Sequence, residues 1–429
     1  MRGVSRSTFL DWFCWLYWQA FKLRDGGTKV SQISSSGKVE IKHTLNFQVT
    51  AFVVVRLVFN TFYRMIYPFL SFFAKGMGVD IRTISYAVTG RSLMGLVSPF
   101  LASVADSRGR KAGMLIGTLI FTAAICLVVL WPTFIAFAIS LSLGIIGYLI
   151  FVPSLQAYIG DQVPYEKRGR VLGITEFAWS LSAIVGVYLM GLLIARRGWL
   201  APFPLIALLG ALVFIFLAWM LPKDPAPMAE SQGFLKNLAK VFNYPPAIAA
   251  LVMAGLYTAA NETITLVYGV WVERTFSLSI VSLGATALAI GVSELGGETL
   301  VTVFTDKIGK RRALAIGIIG NCLAALALPV FGRWLVGALI CLFLFYLTFE
   351  FTIVSGIPLM SELLPSARAT MLAAHMAFIA IGRSMGDLLA PVLFTQRFMA
   401  GISANAIAAI LFNLFALFAL TRIKVPHAR

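Results

Sequence analysis

The chain has 429 residues, 59% of them hydrophobic and only 12% charged. Water-soluble domains carry about a quarter charged residues, so an ordinary soluble globule is excluded. The net charge of +17 would suggest nucleic acid if it were spread over a soluble surface, but it is not spread that way. A helix needs roughly 20 apolar residues to cross a bilayer. Twelve such runs lie near residues 47–73, 83–105, 113–132, 134–158, 171–194, 199–221, 247–272, 279–304, 313–332, 334–360, 369–395 and 401–421. Backbone polar groups in lipid must be satisfied within the segment, so runs of this length are read as helices and the fold class as all-α integral membrane. With both termini cytoplasmic, the inner segments hold 24 of the 35 Lys and Arg residues and the outer loops hold 7. That bias sets the expected orientation in an inner or plasma membrane, and it accounts for the basic excess without nucleic acid.

Residues 1–43 precede the first span. The stretch from Phe9 to Trp18 is too short to cross a bilayer, and Lys22 to Lys42 is polar and rich in Gly and Ser. It reads either as an interfacial anchor, because Trp and Tyr favour the headgroup layer, or as a dispensable extension. It lacks a small-residue cleavage site and makes a poor signal peptide.

The first span carries Arg56, Asn60, Tyr63, Arg64 and Tyr67. At 100° per residue these share one face, a polar stripe along an apolar helix. The second span adds Arg91 and leads into Ala102-Ser103-Val104-Ala105-Asp106-Ser107-Arg108-Gly109-Arg110-Lys111. An acid ends the helix, a glycine permits the tight turn and cations follow. The fourth span ends at Asp161, before Pro164 and Arg168; the fifth holds Glu176, Gly186 and Gly191. Residues 222–246 form a linker in which Gly233 to Phe242 mixes apolar and basic residues at helical spacing. It reads as a surface helix or as an unstructured tether.

The following six spans echo the first six. Asp306, Gly309, Lys310 and Arg311 repeat the charged loop 200 residues on; Glu362, Pro365 and Arg368 repeat the end of the fourth span; Gly386 repeats Gly186. These landmarks indicate an internal duplication with domains 1–43, 44–221, 222–246 and 247–429. Acids collect in the second half: Glu262 beside Asn261 in the seventh span, Glu294 and Glu298 in the eighth, Glu350 in the tenth, and Asp387 with Arg383 in the eleventh. A charge at membrane depth costs several kcal/mol by insertion scales (about 2.5–3.5), so each is expected to face a partner or a water-filled space. Arg383 and Asp387, one turn apart, suit a structural pair. For Glu294 and Glu298 three readings stand: a proton carrier, an acid with an arginine partner, or a position in an aqueous vestibule.

Cys14, Cys126, Cys322 and Cys341 form no CxxC pattern, and His43, His375 and His427 are scattered. No metal site, cofactor fingerprint or nucleophile–base arrangement is visible, and enzymatic function is not expected.

The twice-occurring charged loop resembles the signature G-x-x-x-D-R/K-x-G-R/K-R/K of the major facilitator superfamily, with Ala102 and Thr302 at the position of the opening glycine and Ser107 at that of a cation. The fifth span is similar to the G-x-x-x-G-P-x-x-G-G motif of that family's drug:proton antiporters at Gly186 and Gly191. The Arg that those antiporters carry in the fourth span before Gly144 is replaced by Ile139-Ser140-Leu141-Ser142-Leu143. The resemblance implies twelve helices in two six-helix bundles, alternating access about a midplane site, and a monomer that moves a small-molecule substrate against a coupling proton or other ion. Proton-coupled efflux is the first expectation. Organic-anion uptake or exchange using Arg56 and Arg64 is the alternative, and a non-transporting sensor or assembly factor a third. The resemblance also implies gating roles for Asp106, Arg110 and Asp161: Asp106 capping the eleventh helix and Arg110 paired with Asp161, together locking the outward-facing state.

Overall fold

The computed structural model describes residues 45–98, 100–101, 109–163, 165–222, 234–396 and 401–423, and those residues fold into one compact unit that begins at Thr44. The helices in chain order are α1 (Leu45–Arg64), α2 (Leu70–Met77), α3 (Ile81–Leu93), α4 (Arg110–Leu130), α5 (Phe134–Gln162), α6 (Tyr165–Leu181), α7 (Tyr188–Arg197) and α8 (Pro202–Met220). They continue with α9 (Phe234–Phe242), α10 (Pro245–Thr265), α11 (Tyr268–Phe276), α12 (Ile280–Ile308), α13 (Lys310–Phe331), α14 (Leu335–Leu363), α15 (Arg368–Phe394) and α16 (Ser403–Thr421). Among the described residues, ten helical segments from Arg110 to Thr421 are long and apolar enough to cross a membrane. The protein is a multi-pass membrane protein.

The first two expected spans depart from single rods. The span over 47–73 breaks between α1 and α2, where Pro68 lacks the amide a continuing helix needs and restricts Tyr67 before it. The second passes from α3 into a 3-10 turn, Met94–Val97, and its charged loop, 102–108, lies outside the described residues. A matching break separates α10 from α11 at 266–267. The fifth span runs through a π-helical turn, Ser182–Val187, between α6 and α7.

Lipid tails are as apolar as leucine, so helices associate here through close packing of small residues. A methyl group on Gly117 of α4 would sit 2.6 Å from the Gly147 carbonyl oxygen of α5, and one on Gly147 would meet Gly117 in return. Phe59 of α1 packs on Phe121 and Phe151, with ring centroids 4.0 and 4.8 Å apart. Between the parts on either side of the linker, Gly191 of α7 lies against Gly284 of α12, and Gly95 after α3 against Ala380 of α15.

At the charged-loop end, Gly109 and Gly309 take φ of 98° and 86°, which a side chain would strain, and α4 and α13 start immediately after them. Arg110 donates to Asp161 at 3.1 Å and Lys310 pairs with Glu362, each within its own part. Lys111 donates to the carbonyls of Ala218 and Leu221 at the end of α8, and Arg311 to that of Thr421 at the end of α16. A cation thus meets the negative end of the last long helix in both parts. Arg368 donates to the Ser361 carbonyl. Asp106 and the side chains of Arg168 and Asp306 lie outside the described residues. The linker does contain a helix, α9, which buries Val241 against α10 and α15 while Lys240 and Phe242 stay exposed.

Candidate functional site

The polar stripe that starts on α1 and continues to Tyr67 divides the buried charges into layers. Nearest the charged-loop end, Arg56 donates to both carboxylate oxygens of Glu176 at 2.6 and 2.7 Å and to the Thr175 hydroxyl at 3.2 Å. Two turns along, about 12 Å at 1.5 Å per residue, Arg64 clasps Glu294 of α12. One guanidinium nitrogen donates at 3.0 Å and the other lies 2.7 Å from the second oxygen, while the Trp179 ring covers the guanidinium at 4.6 Å. Arg64 and Glu294 are both buried.

The next layer centres on Tyr67. Its hydroxyl donates to Glu262 at 2.6 Å and accepts from Arg91 at 2.7 Å. Arg91 also donates to the Tyr63 carbonyl and stacks over the Tyr63 ring at 4.0 Å. Arg383 donates to the Tyr63 hydroxyl, and Ser92 donates to Asp387 at 2.7 Å. The same-helix pair expected between Arg383 and Asp387 is not formed: each reaches across to the first part instead, where Tyr63 and Ser92 supply partners.

Beyond this layer the far end is sealed. Glu273 of α11 accepts from Ser71 and from Lys75 of α2, the latter at 3.1 Å. Gly269 of α11 rests on the carbonyl oxygens of Tyr67 and Pro68, each 2.6 Å from where a methyl group would lie. Arg82 donates to Thr395. The contacts joining the two parts named here all lie between mid-depth and that far end. The Arg110–Asp161 pair therefore coexists with a closed far end. Both residues belong to one part, so the pair spans no interface between the two.

Charge within the cluster is uneven. Four arginines, Arg56, Arg64, Arg91 and Arg383, meet six acids: Glu176, Glu262, Glu294, Glu298, Glu350 and Asp387. Glu262 and Asp387 lie in the field of Arg91 and Arg383. Glu298, one turn beyond Glu294, and Glu350 of α14 lie near each other and near Glu294, and the arginine they share, Arg64, is already engaged. Glu350 also lies in the field of Arg383, and among the described residues neither Glu298 nor Glu350 forms an ion pair. Asn60 and Asn261, the neutral members of the cluster, are both buried.

Sequence periodicity finds the α1 stripe but not Ser92, Thr175, Trp179 or Glu273. Ser92 and Glu273 are ordinary residues in sequence and acquire meaning only from partners about 200 to 300 positions away. A cavity of about 400 Å³ lies apart from this cluster, on the charged-loop face between Gly309 and Glu362. Its acid and amine are already paired with each other.

Residues 52–387 match the Major Facilitator Superfamily. The uncharacterized MFS-type transporter YceJ of Bacillus subtilis (strain 168) is 24% identical over 377 residues, covering 85% of this chain and 94% of that protein. Multidrug resistance protein 2 of the same organism is 22% identical over 373 residues, covering 82% and 91%. Among solved structures, the D-xylose-proton symporter is similar in fold with a TM-score of 0.69 at 18% identity, covering 86% of this chain and 96% of that one.

Proposed function

The chain belongs to the major facilitator superfamily, a secondary transporter rather than an enzyme, and from that premise we propose that it exports small organic cations by exchanging them for protons. The observation that carries this reading is the pair of acids Glu298 and Glu350, which form no ion pair among the described residues and meet where Gly297 packs on Glu350, beside the Arg64–Glu294 ion pair. A buried negative charge is costly, and either a proton or an organic cation removes it. Two ligands that neutralise the same acids exclude each other, and mutual exclusion is what an exchanger requires. The rings of Tyr268 and Tyr346, near Glu294, supply aromatic faces that suit a cation. A relative named for multidrug resistance favours organic compounds as cargo. Arg56 and Arg64 each hold a carboxylate already, so an anionic solute finds no free guanidinium there.

The two halves, 44–221 and 247–429, rock about this cluster. With the basic loops cytoplasmic, the sealed far end is the outer one and the arrangement faces inward. The test uses proteoliposomes and a panel of organic cations that includes tetraphenylphosphonium. An imposed pH gradient should drive accumulation in the wild type. Glu298→Gln and Glu350→Gln should lose gradient-driven accumulation at least tenfold while keeping cation-for-cation exchange. If both variants accumulate as the wild type does, these acids do not carry the proton.

A further inference from the structure

We infer that Asn60 and Asn261, counterparts in the internal repeat, form the seat for a carboxamide or hydroxyl group on the transported solute. This rests on the reading of the chain as a cation exporter and adds what the rest of the solute must carry.

The first observation is the repeat itself. Asn60 of α1 and Asn261 of α10 are 201 positions apart, and so are Tyr67 and Tyr268. Each helix breaks at the same place relative to these residues, at 65–69 in one copy and at 266–267 in the other. The breaks abut where Gly269 rests on the Tyr67 and Pro68 carbonyls. Interrupted helices at corresponding positions of two repeats point to the solute site of a transporter. The asparagines sit five residues, about 7.5 Å, before the breaks begin.

The second observation is independent of the repeat. Asn60 is fully buried, and neither its amide nitrogen nor its oxygen has a hydrogen-bond partner; Asn261 is 5% exposed, and its oxygen has none. The other buried asparagines of the described residues have their amide nitrogens engaged, though the Asn405 oxygen, like that of Asn261, has no partner. Asn413 donates to Asn321, Asn321 donates to the Phe345 carbonyl, and Asn405 donates to the carbonyls of Thr263 and Ala390. Buried polar groups are nearly always satisfied, so Asn60, both of whose amide atoms stand bare in the central stripe, requires an absent partner, and the bare Asn261 oxygen is its counterpart in the repeat. Arg56 and Arg64, one turn either side of Asn60, are committed to Glu176 and Glu294.

The chemistry of that partner follows from the atoms left over. Asn60 offers both a donor and an acceptor, and Asn261 an acceptor. A carboxylate can only accept and an ammonium can only donate; a carboxamide or a hydroxyl does both within one group. The solute is then a cation whose charge meets Glu298 and Glu350 and whose neutral polar group meets the asparagines.

The experiment compares matched cations in proteoliposomes holding the full chain: 1-methylnicotinamide against 1-methylpyridinium, and choline against tetramethylammonium. The wild type should favour the first of each pair by about tenfold in KM. Asn60→Leu and Asn261→Leu should abolish that preference, raising KM for the polar member about tenfold relative to that for its apolar twin. Asn60→Ala and Asn261→Ala, which demand no extra space, give the same reading should the leucine variants not fold. A preference that survives substitution overturns the assignment, and so does Asn60→Leu that raises Tm and leaves KM alone. Equal transport of both members by the wild type overturns the asparagine seat only. Transport of neither overturns the cation reading and the seat with it.

Discussion

Arg64 and Glu294 stand 230 residues apart in sequence and 2.7 Å apart at closest approach, both shielded from solvent. Their desolvation is offset by two contacts of one guanidinium with one carboxylate and by the Trp179 face over the cation. Removing one partner leaves the other charge buried and alone, a loss of about 3–5 kcal/mol, whereas removing both leaves no bare charge. Arg64→Gln and Glu294→Gln should therefore each lower Tm sharply, and the double variant should recover most of the loss. Thermal unfolding of the purified proteins checks this, and additive losses would rule out mutual pairing. Arg56, Asn60 and Arg64 were legible as a face from their spacing alone. Which acid each arginine holds was not, because Glu176 and Glu294 are placed by helices that α1 meets only in the folded chain.

At the scale of elements, α1–α2 and α10–α11 matter as broken helices more than as spans. The signal for the first break was in the sequence as Tyr67-Pro68, yet hydropathy merged both sides into one run because Leu70 to Met77 is as apolar as the helix before it. For the second, Gly269 was visible, but a glycine has no assigned purpose until its neighbour is known. That neighbour is the backbone of Tyr67 and Pro68, too close for any side chain. Gly269→Ala should hold the far end apart and favour its open state. The check is labelling of a cysteine placed at Ser92 with an impermeant maleimide from that side, expected to quicken several-fold. Gly117→Ala, which disrupts the α4–α5 contact away from the seal, should instead lower Tm. The charged loops were legible because Gly109 and Gly309 bring their own backbone requirement, a positive φ, with them.

For the whole molecule, the far end is held by polar contacts at several depths: Tyr67–Glu262, Ser92–Asp387, Arg383–Tyr63 and, outermost, Glu273 with Ser71 and Lys75. If the two halves move as rigid bodies, opening breaks all of these together, and each contributes to a single equilibrium between closed and open. A hydrogen bond to a charged group is worth about 1.5–3 kcal/mol net, so removing one should raise the open-to-closed ratio at least about tenfold. Tyr67→Phe and Glu273→Gln lie at different depths and do not share a partner. Their effects on a rigid-body equilibrium should add in free energy, so the double variant should shift the ratio by at least about 100-fold, the product of the two. Local loosening gives another pattern: Glu273→Gln would expose only its own surroundings, and Tyr67→Phe only the central layer. Cysteines at Ser71 and Ser92, probed with the same impermeant reagent, separate the two. Rigid rocking requires Glu273→Gln to speed labelling at Ser92 by the factor seen at Ser71; a Ser92 rate unchanged from the wild-type background would mean that the outer seal opens without the core.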